Sequence, residues 1–276
     1  MGLQRWAACV EYQGSHYYGW QTQEIAGKSV QPWVEQALSK VADEPIEVVC
    51  AGRTDTGVHA TAQIVHFDTH AQRPARAFVM GGNTHLPRDI GLVWAHPVAS
   101  DFSARFSARW RRYHYVIRNS PTRPGLAADY LTHVYQTLDL PAMARAAQHL
   151  EGAQDFTALR SKHCQAPNPI REMHFVRLYA QGEWIVIDVQ ANAFLHHMVR
   201  NIAGSLIAIG AGDRSPEWLA EVLAGRDRSQ AGVTAPPNGL HLCGVGYELG
   251  IDLPPTLRFP AVAVGIVRPE NRVFPS

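Results

Sequence analysis

The sequence has few cysteines, almost no lysine and no long apolar run. Its four cysteines (Cys9, Cys50, Cys164, Cys243) are scattered and form no C-x-x-C pair. A disulfide framework and a cysteine-based metal site are therefore not expected, and the thiols read as reduced, mostly buried groups of a cytosolic protein. No stretch approaches the roughly 18–20 uninterrupted apolar residues of a membrane span. The longest candidate, Ile202–Ala211, is short and broken by two glycines and a serine. Met1–Trp6 lacks the charged start, apolar centre and cleavage site of a secretory signal, so a cytoplasmic location is expected. Disorder is excluded by composition, since 46% of the 276 residues are hydrophobic and only 18% charged. A chain of this length buries roughly 70–75% of its unfolded surface and needs no covalent staples.

Lysine occurs only at 28, 40 and 162, so 22 of the 25 basic residues are arginine. Net charge is +1 and by itself points to no polyanionic partner. The placement says more. Between Phe102 and Ala128 there are six arginines (105, 109, 111, 112, 118, 123) and no acid. Arginine forks grip phosphate bidentately and stack on bases, so this stretch suits a phosphate backbone. A solvated strand face is the competing reading.

Periodicity and punctuation suggest strands at 3–12, 46–51, 62–68, 90–95, 111–119, 172–180, 183–190 and 241–248. Helices are expected at 30–41 behind Ser29, at 74–81, from Asp139 and Pro141 to Leu150, at 194–209 behind Asn192, and from Ser215-Pro216-Glu217 to Gly225. Strands recur with helices in both halves, the mark of two α+β layers. Residues 119–129, with Pro121, Pro124 and Gly125, read as the linker. The organisation expected is an N-terminal α+β half over 1–120, a C-terminal α+β half over 121–250, and a proline-rich extension over 251–276.

Three stretches can carry chemistry. Gly52–Ala60 places Arg53, Asp55 and His59 in a loop with two glycines between apolar strands. Glycine lets backbone turn sharply and approach a ligand, so Asp55 is a structural cap, an ionised nucleophile or base, or part of a metal site. In Asn192–Asn201, neighbouring His196 and His197 on a helix would diverge by about 100°, and the i, i+4 spacing of zinc ligands is missing. Arg200 on the same apolar helix needs a carboxylate partner, and Asp55 is one candidate. In Arg111–Ile117, strand geometry puts Tyr113, Tyr115 and Ile117 on one face and Arg112 with His114 on the other. A tyrosine there is core filler or a platform for a splayed base.

Several motifs together resemble the bacterial tRNA pseudouridine synthase A family. They are Glu11-Tyr12-x-Gly14-x-x-Tyr17-Tyr18-Gly19-Trp20-Gln21, Ala51-Gly52-Arg53-Thr54-Asp55-x-Gly57-Val58-His59-Ala60 and Asn83-x-x-Leu86-Pro87-x-Asp89-Ile90. They continue with Phe102-x-Ala104-Arg105-Phe106-Ser107-Ala108, Arg112-Tyr113-x-Tyr115, Gly152-x-x-Asp155-Phe156, Ala191–Asn201 and Gly239-Leu240. The matches run in order over roughly residues 3–248; Pro32 and the tail after 250 depart from the pattern.

The resemblance implies an α+β fold of two ferredoxin-like or RRM-like halves whose mostly antiparallel sheets flank a central active-site cleft. It implies an isomerase that converts uridine to pseudouridine at positions 38, 39 and 40 of the tRNA anticodon stem-loop, as a homodimer without cofactor or metal. Asp55 would be the catalytic nucleophile or base, Arg200 would keep it charged and oriented, and Tyr113 would pack on the target base and assist proton transfer. Leu240 would supply an apolar wall. Arg53, His59, Arg105 and Arg112 would complete the substrate contacts.

Overall fold

The computed structural model describes residues 2–22, 28–248 and 250–274. The expectations for Met1 and for the end of the extension at 275–276 fall outside the described residues. The fold is mixed α+β, with eleven strands among the described residues, paired almost entirely antiparallel. Its residues form two compact units, Met1–Trp110 with Leu242–Arg258, and Arg111–His241 with Phe259–Ser276. The units interleave along the chain, unlike the three consecutive segments read from the sequence.

In the first unit, β1 (Gln4–Tyr12) pairs antiparallel with both β3 (His59–Thr69) and β4 (Ile90–Val98). β2 (Val49–Cys50) pairs with the distal part of β3. Helix α1 (Val30–Ala42) buries Val30, Val34, Ala37 and Leu38, the expected helical stripe. Helix α2 (Ala75–His85) buries Phe78, whose ring meets Trp6 at 4.9 Å and Phe67 at 5.3 Å. Trp6–Val10 is buried on both strand faces, which explains why that run is continuously apolar rather than cleanly alternating.

Three local expectations give way to specific contacts. Ser29 occupies the N-cap position of α1, yet its side chain makes no cap bond and its Oγ is buried without a partner among the described residues. Residues 46–48 are not strand, because their N–H groups go to α1 side chains: Ile46 to Ser39 Oγ (2.8 Å) and Val48 to Glu35 Oε1 (3.1 Å). Helix α2 runs through Gly81-Gly82 because small residues are needed there. A Cβ on Gly82 would lie 2.4 Å from Leu92 Cδ1, and one on Gly81 3.0 Å from Val41 Cγ2.

In the second unit, β5 (Trp110–Asn119) contributes from Arg111 onward and pairs antiparallel with β9 (Trp184–Ala191). β9 pairs antiparallel with β8 (Ile170–Gln181). β6 (Thr132–Val134) adds to β5 in parallel, and β7 (Gly152–Asp155) adds to β8. Helices α3 (Leu140–Gln148), α4 (Met198–Gly210) and α5 (Trp218–Gly225) complete the unit. α3 starts as expected, with Asp139 Oδ1 accepting the Ala142 N–H at 2.9 Å. α5 begins two residues later than read, with Glu217 at the N-cap and Pro216 in the turn before it.

Residues 119–129 are a loop inside this unit and not a linker between units. Asn119 stitches it down: Nδ2 donates to the carbonyls of Val134 (2.9 Å) and Gln136 (2.6 Å), and Oδ1 accepts the Leu138 N–H (3.2 Å). The last long strand, β10 (Leu240–Gly246), ends in the first unit, and its tail is less irregular than expected. Arg258 N–H bonds the Cys243 carbonyl at 2.8 Å. Further on, Ala263 and Ile266 join Val116, Leu131, Tyr179 and Val186 in a buried cluster, and β11 (Arg272–Val273) pairs with β8.

Candidate active site

In the first unit, Asp55 sits half-buried in a loop whose conformation is imposed from outside. Two glycines of the Tyr12–Gln21 motif press on it. A Cβ on Gly14 would lie 2.0 Å from the Val58 carbonyl oxygen, and one on Gly19 would lie 2.4 Å from that of Thr54. Gly19 (φ 90°) and Gly57 (φ 78°) also adopt left-handed backbone that a side chain would strain. Polar bonds close the frame. Tyr12 Oη and Thr54 Oγ1 lie 2.7 Å apart, Trp20 N–H donates to the Thr54 carbonyl (3.0 Å), and Gly57 N–H to that of Tyr17 (3.2 Å). Val58 N–H donates to the carbonyl of Asp55 itself at 3.1 Å, turning the chain into β3. Gln63 bridges the loop entrance by donating from Nε2 to the Gly52 carbonyl at 2.5 Å.

His59, expected to touch substrate, is 2% exposed, and its Nδ1 accepts the Gly14 N–H at 3.0 Å. It braces the loop from inside. Asp89 and Asn83 of the third motif are also braces. Tyr17 Oη donates to Asp89 Oδ1 (2.8 Å), and Asn83 both donates to the Leu92 carbonyl (2.9 Å) and accepts its N–H (2.7 Å). Burial and the Asp89 carboxylate push the Tyr17 phenol above its usual range, so it stays a donor. Arg53 is exposed beside this frame. Burial pushes the nearby Cys50 thiol up to about 11, with the charges of Arg53 and Arg105 pulling the other way.

In the second unit, the segment before α4 is not helical, contrary to the expected start at 194. Asn192 does not cap the helix. Its Oδ1 accepts the N–H groups of Glu172 (3.1 Å) and Ala193 (2.7 Å), and its carbonyl accepts Arg111 Nη1 (3.0 Å). His197 (φ 62°) takes the N-cap in left-handed backbone, one that histidine tolerates better than most residues. The divergence of His196 and His197 inferred from a helix is corrected accordingly: their rings stack with centroids 4.0 Å apart.

Arg200 lies in the first turn of α4 and is half-buried. Its Nε donates to the Ala235 carbonyl at 2.8 Å, while Ala235 N–H donates to the Arg200 carbonyl at 3.1 Å. The segment carrying Ala235 is tied to α4 by a network that the sequence did not reveal. The fully buried Asn201 accepts on Oδ1 from Arg228 Nη2 (2.9 Å) and Thr234 Oγ1 (2.7 Å), and donates from Nδ2 to the Leu159 carbonyl (2.8 Å). Arg228 Nη2 also reaches Thr234 Oγ1 (2.9 Å), and Gly232 N–H donates to Ser205 Oγ (3.1 Å). A Cβ on Gly204 would lie 1.8 Å from the Val233 carbonyl oxygen, so small size at 204 admits this segment.

Tyr113 is 8% exposed on β5, edge-on to Phe194 at 5.1 Å. Tyr115 Oη lies 2.6 Å from Thr132 Oγ1 and donates to the Pro236 carbonyl at 2.9 Å. Leu240 is buried where β10 begins.

The six arginines between Phe102 and Ala128 do not form one free stripe. Arg112 forks onto the buried Asp188, Nε to Oδ1 at 2.7 Å and Nη2 to Oδ2 at 2.6 Å, and lies near the rings of Phe175 and Phe259. His114, wholly buried, faces Asp188 at 3.4 Å. The strand face shared by Arg112 and His114 is therefore a buried polar cluster, and the competing solvated-face reading of the arginine stretch does not hold there. Arg109 pairs with Glu248, and Arg118 pairs with Glu183 beneath Trp184. Arg105 and Arg123 are exposed.

Both units are thus antiparallel α+β layers, and the first holds a carboxylate in a loop fixed by glycines, the setting of an enzyme. A family model described as tRNA pseudouridine synthase matches residues 8–107 and 146–248. The chain belongs to that family. Its activity is accordingly that of an isomerase. The chain is 53% identical over 253 residues to "tRNA pseudouridine synthase A" of Pseudomonas aeruginosa, covering 92% of this chain and 89% of that protein. Proteins of the same name from Shewanella woodyi and Vibrio cholerae are 54% and 50% identical over 250 residues, covering 91% of this chain and 95% and 94% of theirs.

Proposed function

We propose that the chain isomerises uridine to pseudouridine at positions 38, 39 and 40 of the tRNA anticodon stem-loop, as a cytoplasmic homodimer without cofactor or metal. The observation that carries the reading is Asp55 in a loop made rigid by Gly14, Gly19 and Gly57, within a chain of this family. The reaction is balanced within the nucleotide: the C1′–N1 bond breaks, the uracil turns, C1′ joins C5, and the C5 proton is lost as N1 gains one. Asp55 acts near C1′ or C6 as nucleophile or base, which requires an ionised carboxylate held in place. Arg200, whose Nε donates to the Ala235 carbonyl, keeps that carboxylate charged and oriented. Tyr113 packs on the target base and assists removal of the C5 proton, and Leu240 closes the apolar side.

A paired uridine is out of reach inside a helix, so the target leaves the stack. Arg53, exposed next to Thr54 and Asp55, holds the displaced nucleotide or fills its place. Arg105 suits a phosphate contact, which sets register without reading sequence. For Arg112 and His59, whose fork and Nδ1 bond within the protein, the reading is support of the site in place of direct contact with RNA.

The test is incubation of the purified protein with unmodified tRNA, followed by mapping of pseudouridine. Conversion at positions 38, 39 and 40 is expected; no conversion there would overturn the reading. Under the same reading, Arg200→Lys retains folding and loses most activity, because an ammonium cannot reproduce the planar fork.

A further inference from the structure

Phe106 is 79% exposed, more than any other aromatic side chain among the described residues. A lone exposed apolar residue is ordinary. What sets Phe106 apart is how firmly the backbone around it is held. Ser107 N–H donates to the Ser103 carbonyl (3.0 Å), Ser103 N–H to Ser107 Oγ (3.0 Å), and Phe106 N–H to Ser103 Oγ (3.2 Å). Ala104 is clamped on both sides. Its N–H donates to His66 Nδ1 (3.1 Å), and its carbonyl accepts Tyr247 Oη (3.0 Å). Burial and the Arg5 charge push His66 down, which keeps its Nδ1 an acceptor at neutral pH. Phe102, at the base of the turn, is buried against Tyr247 with centroids 5.1 Å apart. A turn fixed by five hydrogen bonds thus ends in a phenyl ring directed to solvent.

The Arg105 guanidinium stands 5.2 Å from the Phe106 centroid. No acid occurs from Phe102 to Ala128. A rigid aromatic face beside an exposed arginine is a surface that binds an unpaired nucleobase: the ring stacks on the base, and the cation meets the adjoining phosphate. A phenylalanine on a fixed turn has two side-chain torsions to lose, so stacking costs little ordering.

We infer that Phe106 is a stacking platform for an unpaired base of the RNA substrate, with Arg105 contacting a neighbouring phosphate. The inference rests on the tRNA reading above and adds a base contact outside the catalytic residues. It separates the two neighbours by salt dependence. Stacking is insensitive to salt, whereas each phosphate contact adds nearly one unit to the slope of log affinity against log salt.

The experiment measures affinity for unmodified tRNA across a salt series for wild type, Phe106→Ala, Phe106→Trp and Arg105→Ala, beside pseudouridine formation, melting and sedimentation. Phe106→Ala is expected to weaken binding about 5- to 100-fold with an unchanged salt slope and melting curve. Phe106→Trp should restore affinity, and Arg105→Ala should lower the slope by about one unit. If wild type forms pseudouridine and Phe106→Ala binds tRNA as tightly, the stacking inference falls while the functional reading stands. If Phe106→Ala instead changes the sedimenting species, the ring covers a second copy of the chain and the inference is equally wrong. A wild type that modifies no tRNA removes both.

Discussion

The Asp55 loop and the start of the helix carrying Arg200 are held by different means. The loop is held sterically: Gly14 and Gly19 leave no room for a Cβ against Val58 and Thr54, and few charged groups take part. The helix start is held by polar groups: Arg228, Asn201 and Thr234 fix the segment that presents the Ala235 carbonyl to Arg200. The sheet of that second unit is polar inside as well, with Asp188 buried against Arg112 and His114 and paired in register with Arg177. The difference teaches where each region is vulnerable. Added atoms should damage the first, and lost charges or protons the second.

The largest expected effect is in the polar region. Asp188→Asn keeps the shape but strands the Arg112 charge, and loss of one partner of a buried pair costs about 3–5 kcal/mol; denaturant melts at neutral pH check this. Acid should act in the same direction. Although burial alone would raise it, His114 and Arg112 hold the Asp188 carboxyl below its ordinary value. Its contribution is therefore complete above the unfolded value of about 3.9 and is lost as pH falls through the lower folded value. Wild-type stability should drop over that acid range, and the Asp188→Asn curve should be flatter there.

Next comes the steric region. Gly19→Ala forces a Cβ into left-handed backbone and towards the Thr54 carbonyl, at a cost of about 1–3 kcal/mol. Displacing Thr54 should also displace Asp55, so activity per folded molecule should fall; an alanine variant with wild-type melting and rate would remove the steric account. Arg228→Lys sharpens the other side. An ammonium cannot reproduce the planar contacts to Asn201 and Thr234, so kcat should fall roughly 10- to 100-fold with KM little changed. Equal losses in stability alone would make Arg228 a folding residue. The smallest effect is a control remote from both regions. Asp139→Ala removes the N-cap of α3 and should cost about 1 kcal/mol in melting experiments while leaving the specific activity unchanged.

The steric region was the more legible in sequence. Glycines at 14, 19, 52 and 57 stand beside the carboxylate and mark a constrained loop, and the alternation and helix caps placed most strands and helices within a few residues. What sequence missed follows from tertiary competition. Phe194-Leu195-His196-His197 holds no helix breaker, but Asn192 gives its side chain to Glu172 and Ala193, and His197 takes left-handed backbone. β5 reads as two-faced, yet its polar face is satisfied by Asp188, about 75 residues away in the chain. Arg228 carries no local signal, because its partners are 27 and 6 residues distant. Gly52–Ala60 left Asp55 open between cap, base and metal ligand; the motifs in order, rather than the loop alone, favoured the catalytic role.

The central claim is that Asp55 performs chemistry and does not merely shape its loop. Asp55→Asn is nearly isosteric but cannot ionise. The decisive measurement is the single-turnover rate of pseudouridine formation in unmodified tRNA by wild type and Asp55→Asn, at matched tRNA binding and matched melting temperature. A loss of at least about 10³-fold is predicted for the variant. An Asp55→Asn protein that converts uridine at a rate near that of wild type would contradict the account.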